Sequence, residues 1–397
     1  MSMAALPGGA TGGTRGGFGP RWAVSGLFFA NGLMIGSWAP KVPVLMQRLQ
    51  ISEAEAGLLV LALGLGSVTM MPIFGAIIAR RGSAGPLRRA AVLAAPTLLL
   101  MSLMPGIWSV GLAVFLFGGF VGGMDVAMNA NAVAVERARR RAIMSSCHGF
   151  WSLGAMAGAA AGGILLAGLG ERGHALLVTL AVGGLLWLLL PRVLVDAPHP
   201  EAAPAPLRLP RSPLPYLIGL LALCSMIPEG AIIDWAAVYL RRDLGASIWV
   251  SGFGFAACAG TMALMRFVGD SIRQRLGARR TLRLGAVVGA LGLAMAALAP
   301  APGWAILGFG LAGLGISNLV PIAFSAAGNL PGIAPGIGMS VATTLGYCGI
   351  LVAPGLIGFV AEHVAFSAIF LGLAVLILSS LILSGLARHA DFDHGGD

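Results

Sequence analysis

The chain has 397 residues, of which 57% are hydrophobic and only 10% are charged. Soluble domains carry about a quarter charged residues, so this composition excludes a globular protein of the aqueous phase. The net charge of +10 comes from short arginine clusters between apolar stretches. Without an aromatic and basic face it does not indicate nucleic-acid binding. The four cysteines are isolated and form no CxxC pair, so neither a disulfide framework nor a metal site is expected.

Apolar stretches long enough to cross a bilayer recur along the chain. A helix needs about 20 apolar residues to span the hydrocarbon core. We therefore predict an all-α polytopic membrane protein with twelve transmembrane helices in two pseudo-symmetric six-helix bundles. The predicted helices cover residues 22–46, 57–79, 90–104, 107–135, 144–169, 173–193, 214–240, 246–270, 281–299, 303–327, 333–360 and 364–387.

The segments outside the helices predict the domain organisation. Residues 1–20 are Gly-rich without a cleavable apolar core, which is typical of a flexible tail and not of a signal peptide. Residues 21–194 and 214–388 form the two predicted bundles. The proline-rich stretch 195–213 is the predicted cytoplasmic linker between them, and residues 389–397 form a second tail.

The basic residues predict the orientation. The termini and alternate loops hold 19 arginines, whereas the opposite loops hold four. Because cytoplasmic loops carry the excess of Arg and Lys, we expect both termini to be cytoplasmic. The expected location is the bacterial inner membrane, as a multi-pass protein.

The chain contains an internal repeat. Sliding it by about 195 residues aligns Arg80-Arg81-Gly82 with Arg275-Leu276-Gly277, and Gly163 with Gly358. At nearby offsets, Trp38 aligns with Trp235 and Asp125 with Asn318. Parallel six-helix repeats are the mark of one large transporter architecture.

The loop after the second predicted helix, Gly75-Ala-Ile-Ile-Ala-Arg-Arg-Gly82, resembles the G-x-x-x-D-R-x-G signature of the major facilitator superfamily. Ala79 stands where that family usually has aspartate. In the second half, Arg266 and Asp270 are one helical turn apart and can pair. The predicted gating residues are Arg80, Arg81, Arg266 and Asp270.

Three segments look like the branch of this superfamily that contains the fucose:proton symporters and their bacterial relatives: Gly122–Asn131, His148–Gly154 and Glu229–Trp235. In the symporters, helix 4 carries an acid that accepts the coupling proton, followed four residues on by an asparagine that contacts the sugar. The resemblance implies these roles for Asp125 and Asn129. The symporters also have an acid in helix 1, which this chain lacks, so coupling stoichiometry and sugar specificity do not carry over.

Three acids lie at membrane depth, where an ionisable group costs about 2.5–3.5 kcal/mol on insertion scales and needs a reason. Desolvation in the middle of helix 4 favours the protonated carboxyl of Asp125, which suits it to carry a proton. Glu229 and Asp234 follow Pro228, which predicts a kink in helix 7. We predict all three as proton-coupling residues. The alternative is a structural hydrogen bond to a neighbouring helix.

A second set of residues is predicted to bind substrate. Lys41, the only lysine, either snorkels towards water or serves as substrate ligand or counter-ion to Asp234. Histidine titrates near neutral pH, which suits His148 to a proton relay, although a lone histidine is often only a hydrogen-bonded structural residue. Aromatic rings can stack on a sugar, although they are also ordinary interfacial anchors. The predicted substrate-binding residues are Lys41, Trp38, Asn129, His148, Trp151, Trp235, Asn318 and Tyr347.

These features predict a proton-coupled secondary transporter that moves a small polar or sugar-like solute by alternating access. One alternative is an efflux antiporter for amphiphilic compounds, because Gly154–Gly162 resembles the antiporter motif G-x-x-x-G-P-x-x-G with Ala159 in place of proline. Another is a membrane sensor that does not transport. No enzymatic motif lies in a loop, so neither enzyme activity nor a cofactor is expected. The expected partners are the solute, protons and the lipid bilayer, with a monomeric protein and no nucleic acid.

Overall fold

The computed structural model describes residues 19–140, 143–197, 210–333 and 335–391. All regular elements in these ranges are helices, and none is a strand. The first half contains α1 (Pro20–Trp38), α2 (Lys41–Leu49), α3 (Glu53–Arg81), α4 (Ala84–Ala94), α5 (Thr97–Leu103), α6 (Ile107–Arg139) and α7 (Met144–Leu189). The second half contains α8 (Leu214–Arg242), α9 (Ile248–Ser251), α10 (Phe253–Leu276), α11 (Ala278–Ala297), α12 (Pro302–Ile316), α13 (Leu319–Gly328), α14 (Pro335–Ala361) and α15 (Phe366–Leu383). Short 3-10 helices, Leu190–Arg192 and Ser384–Ala390, end the two halves.

Ten helical segments of the described chain are long and apolar enough to cross a membrane. One of them, Ser146–Arg192, has 47 residues and bends at Gly170, where φ is 69°. It is about twice the length that a bilayer requires, so it makes two crossings. The broken pair α1 and α2 makes one more. The predicted two-bundle fold with twelve crossings is thereby confirmed.

Four crossings are each built from two helices, of which the eighth is interrupted only at Gly252, between α9 and α10. The first breaks at Pro40 and the third at Pro96, because proline cannot donate a backbone N–H to the preceding turn. The third also begins at Ala84, well before its predicted start. The tenth breaks at Ser317 and Asn318, between α12 and α13. These breaks place irregular backbone at membrane depth inside both bundles.

The early start of the third crossing has a capping residue as its cause. The carboxylate of Asp196 accepts hydrogen bonds from the backbone N–H of Ser83 at 2.8 Å and of Ala84 at 3.3 Å. In the second half, Asp391 accepts one from the N–H of Ala278 at 2.7 Å. Asp196 and Asp391 are separated by the repeat offset, so each bundle fastens the end of its sixth crossing to the start of its third in the same way.

Small residues hold the helices of the first bundle together. A Cβ on Gly154 or Gly158 of α7 would overlap the backbone oxygen of Phe29 or Leu33 of α1. Only glycine allows two helix backbones to approach this closely. The stripe that resembles the antiporter motif therefore serves as a packing surface between α1 and α7.

The two bundles approach each other most closely on one side. We call the side with residues 20, 82, 193, 277 and 390 the basic face, and the other side the opposite face. Near the opposite face, a Cβ on Gly358 of α14 would overlap the backbone oxygen of Glu53 in α3, and a Cβ on Gly252 that of Ala159 in α7. Nearer the basic face, contact is made by side chains, such as Phe267 against Gly149. The backbones of the two halves are therefore most tightly apposed at the opposite face.

Candidate functional site

A chain of polar side chains crosses the interface between the bundles at membrane depth. The guanidinium of Arg266 on α10 lies 3.5 Å from the carboxylate of Glu229 on α8. It also donates a hydrogen bond of 2.5 Å to the hydroxyl of Ser152 on α7. Arg266 and Glu229 belong to the second bundle and Ser152 to the first. Arg266 therefore connects a carboxylate of one half to a helix of the other.

The chain continues into the first bundle through Trp151. The Arg266 guanidinium lies 6.0 Å from the centre of the Trp151 ring, within the range of a cation–π interaction. The indole N–H of Trp151 donates to the side-chain oxygen of Asn31 at 2.9 Å. Asn31 in turn donates to the carbonyl of Val121 on α6 at 3.1 Å. Helices α1, α6, α7 and α10 are thus joined by one polar network.

Asp125 lies on α6 next to Asn129, as predicted from their spacing. The amide of Asn129 donates to the backbone oxygen of Asp125 at 2.9 Å and to its carboxylate at 3.3 Å. Across the described ranges, no Lys or Arg side chain forms an ion pair with Asp125. Removing a carboxylate from water without a cation is costly, and the Asn129 amide is the side-chain partner that the described residues provide. The phenol of Tyr347 on α14 is close enough to interact electrostatically with both Asp125 and Glu229.

Asp234 makes a second connection between the bundles. Its carboxylate on α8 accepts a hydrogen bond of 3.1 Å from the indole N–H of Trp38, at the end of α1. Both side chains are buried. The neighbouring Trp235 is fully buried and packs against Phe366, with ring centres 5.6 Å apart. Trp38 therefore lies at the interface, whereas Trp235 lies in the core of the second bundle.

Lys41 pairs with Glu171 and not with Asp234. Its ammonium lies 2.9 Å from the Glu171 carboxylate, which also accepts Arg48 at 2.7 Å. Lys41 donates a further hydrogen bond to Ser102. The lysine is fully buried within the first bundle, so it does not snorkel. Glu171 is not among the predicted site residues because it lies in a predicted loop, where a charged side chain is expected.

Asn318 faces a different way from Asp125. Its side-chain oxygen would overlap a Cβ on Gly269, and the ring of Phe74 would overlap a Cβ on Gly123. The pairs Gly123 and Asn318, and Phe74 and Gly269, are each separated by the repeat offset. Asn318 therefore occupies the position equivalent to Gly123, so the predicted equivalence with Asp125 is wrong. It points towards α10 and a lateral groove.

The other predicted site and gating residues lie apart from this polar network or at its edge. His148 packs edge-on against Phe28, with ring centres 5.1 Å apart. Tyr347 is 37% exposed. Arg80 and Arg81 are exposed where α3 ends at the basic face. The side chain of Asp270 lies outside the described residues, so its pairing with Arg266 stays a prediction.

Asn31 and Ser152 are site residues that the sequence analysis did not identify. Each is a small polar side chain on an otherwise apolar helix. Buried polar groups need hydrogen-bond partners, so an asparagine in the middle of helix 1 was a usable signal. A single serine in a helix is too common to be one.

The repeat, the twelve crossings and the polar network between the halves define a multi-pass membrane transporter built from two bundles. The sequence model of the Major Facilitator Superfamily matches residues 24–334. The chain belongs to this superfamily.

Relatives support the same assignment. An uncharacterized MFS-type transporter of Yersinia pestis is 36% identical over 354 residues, which cover 89% of this chain and 91% of the relative. An uncharacterized transporter of Sinorhizobium fredii is 34% identical, over 86% of this chain and 91% of the relative. The membrane protein MosC of Rhizobium meliloti is 32% identical, over 90% of this chain and 86% of the relative.

Solved structures with the same fold include two transporters. The nucleoside transporter NupG superposes with a TM-score of 0.69 at 16% identity, over 92% of this chain and 98% of its own. A bacterial homolog of the human lysosomal transporter Spinster, in an inward-facing and occupied conformation, superposes with a TM-score of 0.63 at 15% identity, over 93% of each chain. At these identities the likeness concerns the fold alone.

Proposed function

We propose that this transporter couples the movement of protons to that of a small polar, sugar-like solute by alternating access. The observation that carries the proposal is the arrangement of two half-buried carboxyls near the bundle interface. Asp125 has no cation partner in the described chain, whereas Glu229 lies beside Arg266. An arginine beside a carboxylate stabilises its ionised form, so the charge on Glu229 has a partner that Asp125 lacks. The two acids therefore suit opposite halves of a proton-transfer cycle.

In this mechanism, Arg266 links protonation to conformation. While Glu229 is ionised it holds the guanidinium, which is hydrogen-bonded to Ser152 of the other bundle. A proton on Glu229 removes the charge attraction and frees Arg266 to leave Ser152. Losing this contact lowers the free energy needed to separate the two bundles at the level of Ser152. Proton binding and bundle movement are then thermodynamically coupled, so each shifts the equilibrium of the other.

The groups around the carboxyls favour a hydroxylated solute. Asn129 and Tyr347 offer hydrogen-bonding atoms and Trp151 offers an aromatic face, and such surroundings suit sugars better than amphiphilic drugs. The resemblance of Asp125 and Asn129 to the fucose:proton symporters supports the same class. NupG, which shares the fold, is a nucleoside transporter, so nucleosides belong in the first panel of solutes. A thermal-shift screen of sugars, nucleosides and organic acids selects the solute, because a ligand that binds the folded state raises its stability.

The substitution Asp125→Asn tests the proposal, because asparagine mimics the protonated acid. In proteoliposomes, the variant should bind the solute and exchange it across equal concentrations. Under an imposed pH gradient it should fail to concentrate the solute, so the inside-to-outside ratio stays near one. Asp196→Asn is the matched control, since it changes the same group at the basic face, where asparagine still caps a helix.

Retained accumulation in the Asp125→Asn variant would show that Asp125 is structural. The coupling site would then be sought at Glu229 and Asp234. Solute binding without any flux through the unmodified protein would contradict transport itself and favour the sensor.

A further inference from the structure

A lateral groove runs along the second bundle between α10 and α11, with α12 as its floor. It encloses about 260 Å³. Its walls are apolar and include Ile272 of α10 and Leu284 and Val288 of α11. Leu284 is 56% exposed, so the groove opens away from the core, where a membrane protein meets lipid. A groove with these walls accepts a hydrocarbon chain.

Two polar side chains line this apolar groove, Thr281 and Asn318, and the Thr281 hydroxyl already donates to the backbone oxygen of Gly277 at 2.8 Å. The carboxamide of Asn318 contributes to its floor, beside the glycine backbone at Gly269. Asn318 makes no side-chain hydrogen bond in the part of the chain that the structure describes. An amide facing hydrocarbon without a partner is costly. The occupant of the groove should therefore offer an oxygen at this depth as well as a hydrocarbon chain.

Two arginines flank the end of the groove at the basic face. Arg275 lies one turn beyond Ile272 on α10, and Arg280 lies one turn before Leu284 on α11. Residues at this spacing share a helix face, so both arginines extend the walls of the groove. Both are exposed, and neither forms an ion pair within the described ranges. Their positive charge is therefore available to an anion.

The geometry points to one anionic glycerophospholipid bound in this groove. An acyl chain lies along Leu284 and Val288, an ester oxygen accepts the Asn318 amide, and the phosphate lies between Arg275 and Arg280. Gly269 and Arg275 are six residues apart, about 9 Å along a helix, which the glycerophosphate and an arginine side chain together span. Two arginines without carboxylate partners favour a headgroup with net negative charge over a zwitterionic one.

The first bundle does not repeat this site. At the repeat offset, Gly123 stands in place of Asn318 and Gly85 in place of Arg280, although Arg80 matches Arg275. The site therefore belongs to the second half alone, and arginines of the first half provide a control for general loss of charge.

Native mass spectrometry of the full purified chain tests the site. After delipidation, phosphatidylglycerol should bind at concentrations where phosphatidylcholine does not. The variant Arg275→Gln/Arg280→Gln should weaken phosphatidylglycerol binding by about tenfold or more. The control Arg89→Gln/Arg139→Gln removes two exposed arginines from the basic face of the first bundle and should bind as the unmodified protein does. Val288→Phe, which fills the groove without changing charge, should also abolish binding.

The proposal is overturned if both lipids bind equally, or if the two double arginine variants lose phosphatidylglycerol to the same extent. It is likewise overturned if Val288→Phe binds normally. If Arg275→Gln/Arg280→Gln fails to fold, Val288→Phe and Asn318→Leu decide between the outcomes, because neither alters the basic face.

Discussion

Lys41 and Glu171 illustrate how a single buried charge depends on its partner. Both lie within the first bundle, and Arg48 contacts the same carboxylate. Removing one member of a buried pair leaves an uncompensated charge and costs about 3–5 kcal/mol, whereas removing both is far less harmful. An ion pair between the same residue types exposed to water would contribute little to stability.

We predict that Glu171→Gln lowers the free energy of unfolding by about 3–5 kcal/mol, since it leaves two cations without their acid. Lys41→Met should cost less, because Arg48 still pairs with Glu171. The double variant Lys41→Met/Glu171→Gln should be more stable than Glu171→Gln alone. Thermal melts in detergent measure all three. Additive losses in the double variant would show that the two side chains do not interact.

At the scale of elements, the third crossing of each half depends on an acid distant in sequence. Asp196 caps the start of α4 and Asp391 the start of α11. The first four N–H groups of a helix have no partner within it, so a capping carboxylate stabilises the end. This contact also fixes the sixth crossing against the third.

We predict that Asp196→Ala destabilises the first bundle by about 0.5–2 kcal/mol, the usual effect of losing a cap. Asp196→Asn should retain most of the stability, because asparagine caps well. Asp391→Ala should have a similar effect on the second bundle. The measurement is thermal unfolding of each purified variant. Equal stability of the alanine and asparagine variants would mean that the hydrogen bonds contribute nothing.

At the scale of the whole molecule, the opposite face is closed by contacts between the halves. Arg242 forms an ion pair of 2.9 Å with Glu53. Glu362, after α14, accepts a hydrogen bond of 3.4 Å from the N–H of Ala54 at the start of α3. The hydroxyl of Ser52, and then this N–H, lower the pKa of Glu362 below its ordinary value. The ionised Glu362 therefore favours the closed face.

The sign of the pH dependence follows from that lowered pKa. The contribution of Glu362 to closure is fully present above the ordinary value of about 4.3 and is lost as the pH falls through the lowered value. We predict a longer distance between spin labels at Leu58 and Val364 at such acid pH. In the Glu362→Gln variant, acid pH should cause no increase in this distance through residue 362. If the distance in the unmodified protein does not change at acid pH, the role of Glu362 is contradicted.

The orientation of the molecule is also a prediction at this scale. Cysteines placed at Ala5 and Gly395 should react with an impermeant maleimide only after the cells are permeabilised, because the basic face is expected in the cytoplasm. A cysteine at Pro300, on the opposite face, should react in intact cells. Labelling of either terminus from outside would reverse the assignment.

The sequence by itself determined the class of fold. A bilayer offers no water to backbone groups, so long apolar stretches must be helices. The number of these helices can be counted from the sequence without knowledge of tertiary contacts. The repeat offset divided them into two bundles, and the i, i+4 spacing of Asp125 and Asn129 placed these two side chains together because helix geometry is local.

Only the tertiary structure decided the partners. Arg266 with Ser152, Trp38 with Asp234 and Lys41 with Glu171 each join side chains of different helices. Which helices are neighbours, and how each is rotated, follows from packing over the whole bundle. The near-uniform apolar character of these helices leaves little trace of that rotation in their sequence. Asn318 is the example, since a shift of two residues in alignment moved it from the expected central site to the lateral groove, and only the packing of Gly269 against it showed the true register.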